Sequence, residues 1–470
     1  MRTHSTLTRT VLVSGLLLAG ATGLYADSQE DEIRLLRDQI QALDQKLKVL
    51  ERKQELRDEE ATAAAKSSVK VTANDKGFSV ASGDSANVLR LRGLVQGDSR
   101  WFFNENVSNN DAFVLRRARL IFEGTFNKIF EYQLVPEFGG TSGNGTLTIL
   151  DANINIAPKK AYQLRVGRFR EPVGLEQLQS DSWAFFAERS VVSQFLPNRD
   201  LGVMLAGDIL DGKLSYAIGA FNGTSDASNN ANNSDTNDDK DVAARLFATP
   251  WKGSEGPLSG LGFGIGATAG HQNSLNGASG SLTSGYRTDG QQSWFAYRST
   301  VVPQGNTSRL SPQASYYYGP LGLMAEYAVS KIEATNGTNQ QSITNKAWQI
   351  SGGYVLTGEN ASYLGVVPKT NFSLSDGTWG AFEVVARYEA ARIDDDAFVG
   401  GANSLANAST AARGLNGYSV GLNWYLSKTV RASFDGFHTD FKYAPGAAPA
   451  SNAVIKQDEN AFITRLQLIF

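Results

Sequence analysis

The chain has 470 residues, 41% hydrophobic and 19% charged, with a formal net charge of −3 and a mean hydropathy of −0.27. These values exclude a bundle of transmembrane helices and give no sign of a nucleic-acid partner, but they do not exclude a β-barrel, whose strands alternate lipid-facing with lumen-facing residues. There is no cysteine, so cysteine nucleophiles and cysteine metal sites are excluded and stability rests on packing and hydrogen bonding.

The one long apolar run is Val11 to Gly20, flanked by Arg2 and Arg9 and followed by Leu24-Tyr25-Ala26. It is too short to span a bilayer, and residues 1–26 read as a signal peptide for export. Residues 27–65 are acidic, basic and leucine-rich. Ile33, Leu36, Ile40, Leu43, Leu47 and Leu50 alternate spacings of three and four, the a/d seam of an α-helical coiled coil. Ile at a with Leu at d favours two strands, so the seam does not itself specify a trimer. Residues 66–87 read as a linker with a short lead-in strand.

From Val88 the period becomes two. Arg90, Arg92, Leu94, Gln96, Asp98 and Arg100 share one parity, while Leu91, Gly93, Val95, Gly97 and Trp101 take the other. Comparable segments recur at 112–124, 129–139, 146–156, 161–170, 199–209, 212–221, 241–249, 260–271, 308–318, 321–332, 344–356, 379–393, 414–427, 429–441 and 459–470. With 88–101 they predict an all-β fold over 88–470, a transmembrane antiparallel β-barrel of 16 strands preceded by the coiled coil. Tight connections such as Asn127-Lys128, Asp211-Gly212 and Gly319-Pro320 largely alternate with long ones such as Asn222 to Lys240 and Asp394 to Arg413. The exception is Thr357 to Thr378, long but on the nominally short side. Phe462, Thr464, Leu466, Leu468 and Phe470 share the last face, a pattern that resembles the assembly signal of outer-membrane barrels.

No chemistry of catalysis stands out. His271 and His438 lie outside any nucleophile-elbow context, no P-loop or cofactor motif is present, and Asp238-Asp239 and Asp394-Asp395-Asp396 read as solvated loop charge, so neither enzyme activity nor a metal or cofactor is expected. Arginines fall on lumen parity instead. Arg90, Arg92, Arg117, Arg119, Arg165, Arg245, Arg387 and Arg431, together with Arg100 and Arg465, would line an anion path, because a guanidinium fork binds phosphate or carboxylate oxygens bidentately. The alternative is pairing with lumen acids such as Glu123, Glu131, Glu137, Asp151, Glu383 and Asp435. The segment Glu171 to Asn198, with Trp183, Phe185, Phe186 and Phe195, is long enough to fold inward and present Arg189 or Arg199. A second connection, His271 to Thr307, offers Arg298.

Several stretches resemble the phosphate-selective porin O and P family: Leu115-Arg116-Arg117-Ala118-Arg119-Leu120, Val166-Gly167-Arg168-Phe169-Arg170-Glu171-Pro172 with Gly174-Leu175-Glu176, Glu188-Arg189-Ser190, Tyr316 to Leu323 with Ala325-Glu326-Tyr327, and Gly421-Leu422-Asn423-Trp424-Tyr425-Leu426. The resemblance implies a sixteen-stranded, trimeric barrel in the bacterial outer membrane, in contact with its lipid, with inward-folded loops and phosphate or polyphosphate as solute. A general diffusion porin, or a trimeric anchor or adhesin with a closed lumen, remain the competing readings. A soluble exported hydrolase is a further one. The helical segment would lie in the periplasm.

Overall fold

The computed structural model describes residues 25–103, 110–140, 147–228, 238–273, 285–443 and 458–470. The proposed signal peptide lies almost wholly outside the described residues, as do parts of the long connections 222–240 and 271–307. The chain divides into a unit up to Ser68 and a unit from Val69 onward.

The first unit carries one helix, α1 (Tyr25–Ser67). It runs two residues past the expected end of the coiled coil at 65, following an alanine-rich stretch that extends a helix at little cost. Its predicted seam is unburied: Ile33, Leu36, Ile40, Leu43, Leu47 and Leu50 are all at least half exposed.

The second unit opens with a hairpin, β1 (Lys70–Asn74) and β2 (Gly77–Ala81), where one lead-in strand was expected. Then follow β3 (Val88–Phe102), β4 (Ala112–Phe126), β5 (Phe130–Glu137), β6 (Thr148–Lys159), β7 (Tyr162–Arg170), β8 (Arg199–Ile209), β9 (Leu214–Phe221), β10 (Asp241–Ala248) and β11 (Leu261–Asn273). A small separate hairpin, β12 (Tyr286–Arg287) and β13 (Ser293–Phe295), interrupts the series. The sheet resumes with β14 (Val302–Tyr318), β15 (Leu321–Asn336), β16 (Asn339–Val355), β17 (Ala381–Arg392), β18 (Gly414–Tyr425), β19 (Val430–Lys442) and β20 (Asp458–Ile469). Of eighteen strands in the main sheet, two belong to the lead-in hairpin; the other sixteen are antiparallel to their neighbours and close when β20 pairs β3 from Ala461↔Phe102 to Ile469↔Leu94. Closure leaves no unpaired edge, which matters in hydrocarbon, where each unsatisfied backbone group costs several kcal/mol.

All sixteen predicted segments coincide with these strands. The largest differences are at β14, which starts at Val302 rather than 308, and β16, which starts at Asn339 rather than 344. Pro303, Gly305 and a register shift before Thr307 hide the alternation of the former. Period two sorts the side chains. On β15, Leu323 and Tyr327 face outward, while Met324, Glu326, Ala328 and Ser330 are buried inside. The tight end is made by residues that tolerate positive φ: Asn127 and Lys128 adopt 49° and 64°. Phe470 exchanges backbone hydrogen bonds with Gly93 at 2.8 and 3.1 Å, and its ring occupies the space that a side chain at 93 would need.

Candidate functional site

The lumen is organised by the segment 171–198, which leaves β7, crosses the barrel and returns to β8. Its neck is closed by the Glu171 N–H donating to the Asn198 carbonyl at 2.9 Å. A segment with one helical turn (Leu175–Leu178) and a short 3₁₀ turn (Val191–Phe195) has many backbone groups to satisfy, and wall side chains satisfy them. Glu326 accepts from the N–H groups of Leu175 and Glu176 at 2.8 and 3.1 Å, Asp435 from Ala187 at 2.7 Å, and Glu389 from Val191 at 2.9 Å. Conversely, Arg431 donates to the Ala184 carbonyl at 2.9 Å, Asn423 to that of Phe185 at 2.8 Å, Arg387 to that of Glu188 at 3.2 Å, and Arg465 to that of Ala187. Phe186 packs on Phe437 and lies under the Arg387 guanidinium at 4.5 Å. The loop is thereby fastened to the wall of β15–β20.

It is fastened from the tight-turn end as well. The exceptional connection between β16 and β17 folds against it: Tyr363 Oη donates to the Leu175 carbonyl at 2.6 Å, and Gln179 Nε2 to the Tyr363 carbonyl at 2.8 Å. Gly365 adopts φ +85°, and a Cβ there would collide with the Trp183 ring. Gly365→Val is therefore expected to destabilise the folded barrel by roughly 1–3 kcal/mol. The check is the urea midpoint of its heat-modifiable band, and an unchanged midpoint would show that this contact does not hold the loop.

With the loop held to one side, space remains along the wall of β3–β8. A cavity of about 820 Å³ is lined there by Arg116, Arg117, Arg119, Arg189, Arg199 and Arg287, against Asp181 and Glu188 as the lining carboxylates among the described residues. Asp181 is the common partner of four guanidiniums: Arg119 and Arg189 contact it closely, and Arg117 and Arg170 each reach it at 3.4 Å. Burial would push the Asp181 carboxyl up, but Arg117, Arg189, Arg119 and Arg170 together hold it well below the usual carboxylate range. Glu188 is held low against its burial in the same way, by Arg116, which grips it bidentately at 2.6 and 2.9 Å, and by Arg465 at 2.9 Å. Nearer the tight-turn end, a second cavity of about 340 Å³ along β3–β7 is lined by Arg90, Arg165, Glu123, Glu131, Gln133 and Asn155, among others.

Groups held below their ordinary pKa contribute stability above that ordinary value and lose it only as pH falls through the lowered one. Asp181 and Glu188 start from 3.8 and 4.5, so the loop's ionic latch is expected to persist from pH 7 to pH 4. The side-chain carboxyl signals of Asp181 and Glu188 should remain those of carboxylates across that range in solid-state NMR; protonation of either near pH 5 would contradict the assignment.

The arginines expected on an anion path divide into three groups. Arg117, Arg119, Arg189 and Arg199 line the larger cavity, Arg199 also pairing Asp151 at 3.1 Å. Arg90 and Arg165 line the smaller one, with Arg90 and Arg92 sharing Glu123 at 3.2 and 2.9 Å. The others line neither cavity. Arg387 is buried under the loop against Asp289 at 2.5 Å, and Arg431 under the loop at Ala184; Arg100 and Arg465 are likewise buried, both pairing Asp98. Arg245 is spent on Gln313 at 2.9 Å and on the face of Phe247. Arg298 donates to Ser404 and the Gly401 carbonyl, joining two outer connections. Arg116 was missed because alternation puts it outward. A bulge, with Gln96 opposite Arg117 but Gly97 opposite Leu115, leaves it unpaired in register, and it turns in to Glu188. Arg287, Arg170, Asp181 and Glu188 sit in or beside connections, where periodicity carries no signal.

Residues 90–470 match the family model described as phosphate-selective porin O and P. The chain belongs to this family. It is an outer-membrane porin. Porin O of Pseudomonas aeruginosa is 25% identical over 431 residues, covering 84% of this chain and 91% of that one. Among solved structures, the outer membrane channel DcaP of Acinetobacter baumannii has a TM-score of 0.51 at 11% identity, covering 85% of this porin and 99% of its own chain. The trimer form of OmpT from Vibrio cholerae has a TM-score of 0.50 at 12% identity, with coverage of 82% and 100%. At these identities the two structures bear on the fold alone, and they agree with a closed barrel.

Proposed function

We propose that this porin passes small anions along the β3–β8 wall, with phosphate or polyphosphate as its solute. One observation carries the reading: among the described residues, six guanidiniums and two carboxylates line the larger cavity, on the side of the lumen that the inward loop leaves open. Such a lining attracts anions electrostatically, and paired guanidiniums fit phosphate oxygens. The description of the matching family names the same solute class. The test is chloride current through single channels in planar bilayers as phosphate and then pyrophosphate are added. Concentration-dependent block, stronger for pyrophosphate, is expected; indifference to both would favour a general diffusion porin, and absence of any current an anchor with a closed lumen.

In this reading the chain is exported by its first 26 residues, three barrels assemble side by side, and α1 lies in the periplasm as a coiled coil with α1 of other copies. The support is the unburied seam, since a helix with a free apolar stripe gains stability chiefly by packing it. Because the chain has no cysteine, Leu43→Cys gives a clean report: oxidation should yield disulfide-linked chains. Wholly monomeric material would remove the coiled coil from the account.

A further inference from the structure

The outer surface of the barrel carries a site that ion passage does not use. Across β16–β19, close to the long-loop end, Lys346 lies directly opposite Arg392, Arg392 opposite Gly414, and Gly414 opposite Lys442. The three cations are exposed and share the outward parity, with a glycine, Gly414, between two of them. Like charges placed opposite one another on a sheet face are mutually destabilising, so the row calls for a counter-anion. The fold supplies little. Asp395 contacts Arg413 and stands 3.6 Å from Arg392, while Lys442 reaches only Asn416 Oδ1 at 2.9 Å. Asp440 faces outward one row further down on β19, beside His438 at 3.2 Å. Among the described residues no carboxylate pairs Lys346 or Lys442.

These residues form the upper part of a cleft of about 560 Å³, whose lower part is Trp348 and Tyr388. Tyr388 is shared with a second, apolar furrow of about 630 Å³ that runs on toward the barrel's middle. Small residues make that furrow, because Gly352 faces Ala386 across the pair β16–β17, with Leu323, Ile350 and Val420 as its apolar lining. From the long-loop end inward, the surface therefore presents cations, then indole and phenol rings, then a groove of hydrocarbon width. This is the order in which a bilayer leaflet presents headgroups, interface and acyl chains.

We propose that this composite cleft binds one molecule of an anionic lipid of the outer leaflet. Its phosphorylated headgroup sits on Lys346, Arg392, Arg413 and Lys442, and one acyl chain lies in the furrow over Gly352 and Ala386. Arg392 and Arg413 grip phosphate oxygens as forks, and the two lysines act as point charges. The long-loop end faces outward, as in outer-membrane barrels, so the leaflet concerned is the outer one.

The experiment is native mass spectrometry of the purified full-chain porin, delipidated in detergent and titrated with diphosphorylated lipid A, its dephosphorylated form, phosphatidylethanolamine and inorganic phosphate. One diphosphorylated lipid A per chain should be retained at least tenfold better than the other two lipids. The triple variant Lys346→Gln, Arg392→Gln, Lys442→Gln should lose that preference, and Ala386→Leu, which fills the furrow, should weaken retention of the same lipid severalfold. Unchanged single-channel conductance and heat-modifiable mobility establish that the variants are folded. If the triple variant does not fold, Lys442→Gln alone should weaken retention at least threefold. Equal retention of phosphorylated and dephosphorylated lipid, unaltered retention by the folded charge variants, or displacement of the lipid by an equal concentration of inorganic phosphate would each overturn the proposal.

Discussion

Neutralising Arg119, Arg199 and Arg287 together should lower the anion-to-cation permeability ratio of the channel at least tenfold. Three positive charges leave the rim of the larger cavity, and Asp181, Glu137 and Asp151 lose part of their compensation at the same time. A unit charge about 8 Å from a passing ion contributes about 2 kcal/mol at an effective dielectric of 20. Screening at physiological salt over about 8 Å reduces this to a fraction, on the order of 0.5–1 kcal/mol for each arginine. Three such contributions reach a factor of ten or more. Arg119 and Arg199 also hold buried acids, and breaking such pairs is itself destabilising. Arg287→Glu is the milder companion: its side chain is exposed, it donates to the Gln291 carbonyl at 3.3 Å, and no carboxylate pairs it among the described residues. It should reduce the ratio in the same direction without loss of folded protein. Reversal potentials under a salt gradient measure both.

Asp181→Asn should act in the opposite sense. This carboxylate is the one counter-charge shared by Arg117, Arg119, Arg170 and Arg189, and it occupies the place that a solute anion would take among them. Removing its charge leaves Arg117, Arg170 and Arg189 without a paired carboxylate among the described residues, and Arg119 with Glu137 alone. Phosphate should then bind more tightly and leave more slowly, so the concentration that halves the chloride current should fall by about tenfold, equivalent to about 1.4 kcal/mol, while the unblocked conductance drops. Unaltered block would mean that Asp181 serves only to anchor the loop. A wider, noisier channel would mean that the loop has come free, and that its position depends on this cluster more than on Glu326, Glu389 and Asp435.

The barrel was legible in the sequence because each strand buries one face and exposes the other, so a period of two records the fold directly. Arg117 and Arg119 came with it, as did the inward course of 171–198, announced by its length and its phenylalanines. Two kinds of information were not there. Alternation says that Arg387 and Arg431 face the lumen, but not that a loop from the other side of the barrel covers them; their role as carbonyl donors to Ala184 and Glu188 comes from contacts more than 190 residues apart in sequence. Nor does alternation survive a bulge, so parity alone would put Arg116 on the outer face, and only its grip on Glu188 brings it into the lumen. The connection between β16 and β17 stood out as too long for its end of the barrel, and its reason is physical: Tyr363 and Gly365 meet Leu175 and Trp183 of the inward loop.

Whether an arginine-lined passage beside the inward loop selects anions is read from the zero-current potential of the purified porin in a planar bilayer under a tenfold potassium chloride gradient. Discrete channels whose reversal potential has the sign of chloride permeation are expected. A potential of potassium sign, or a folded and inserted protein that passes no current, would contradict that expectation.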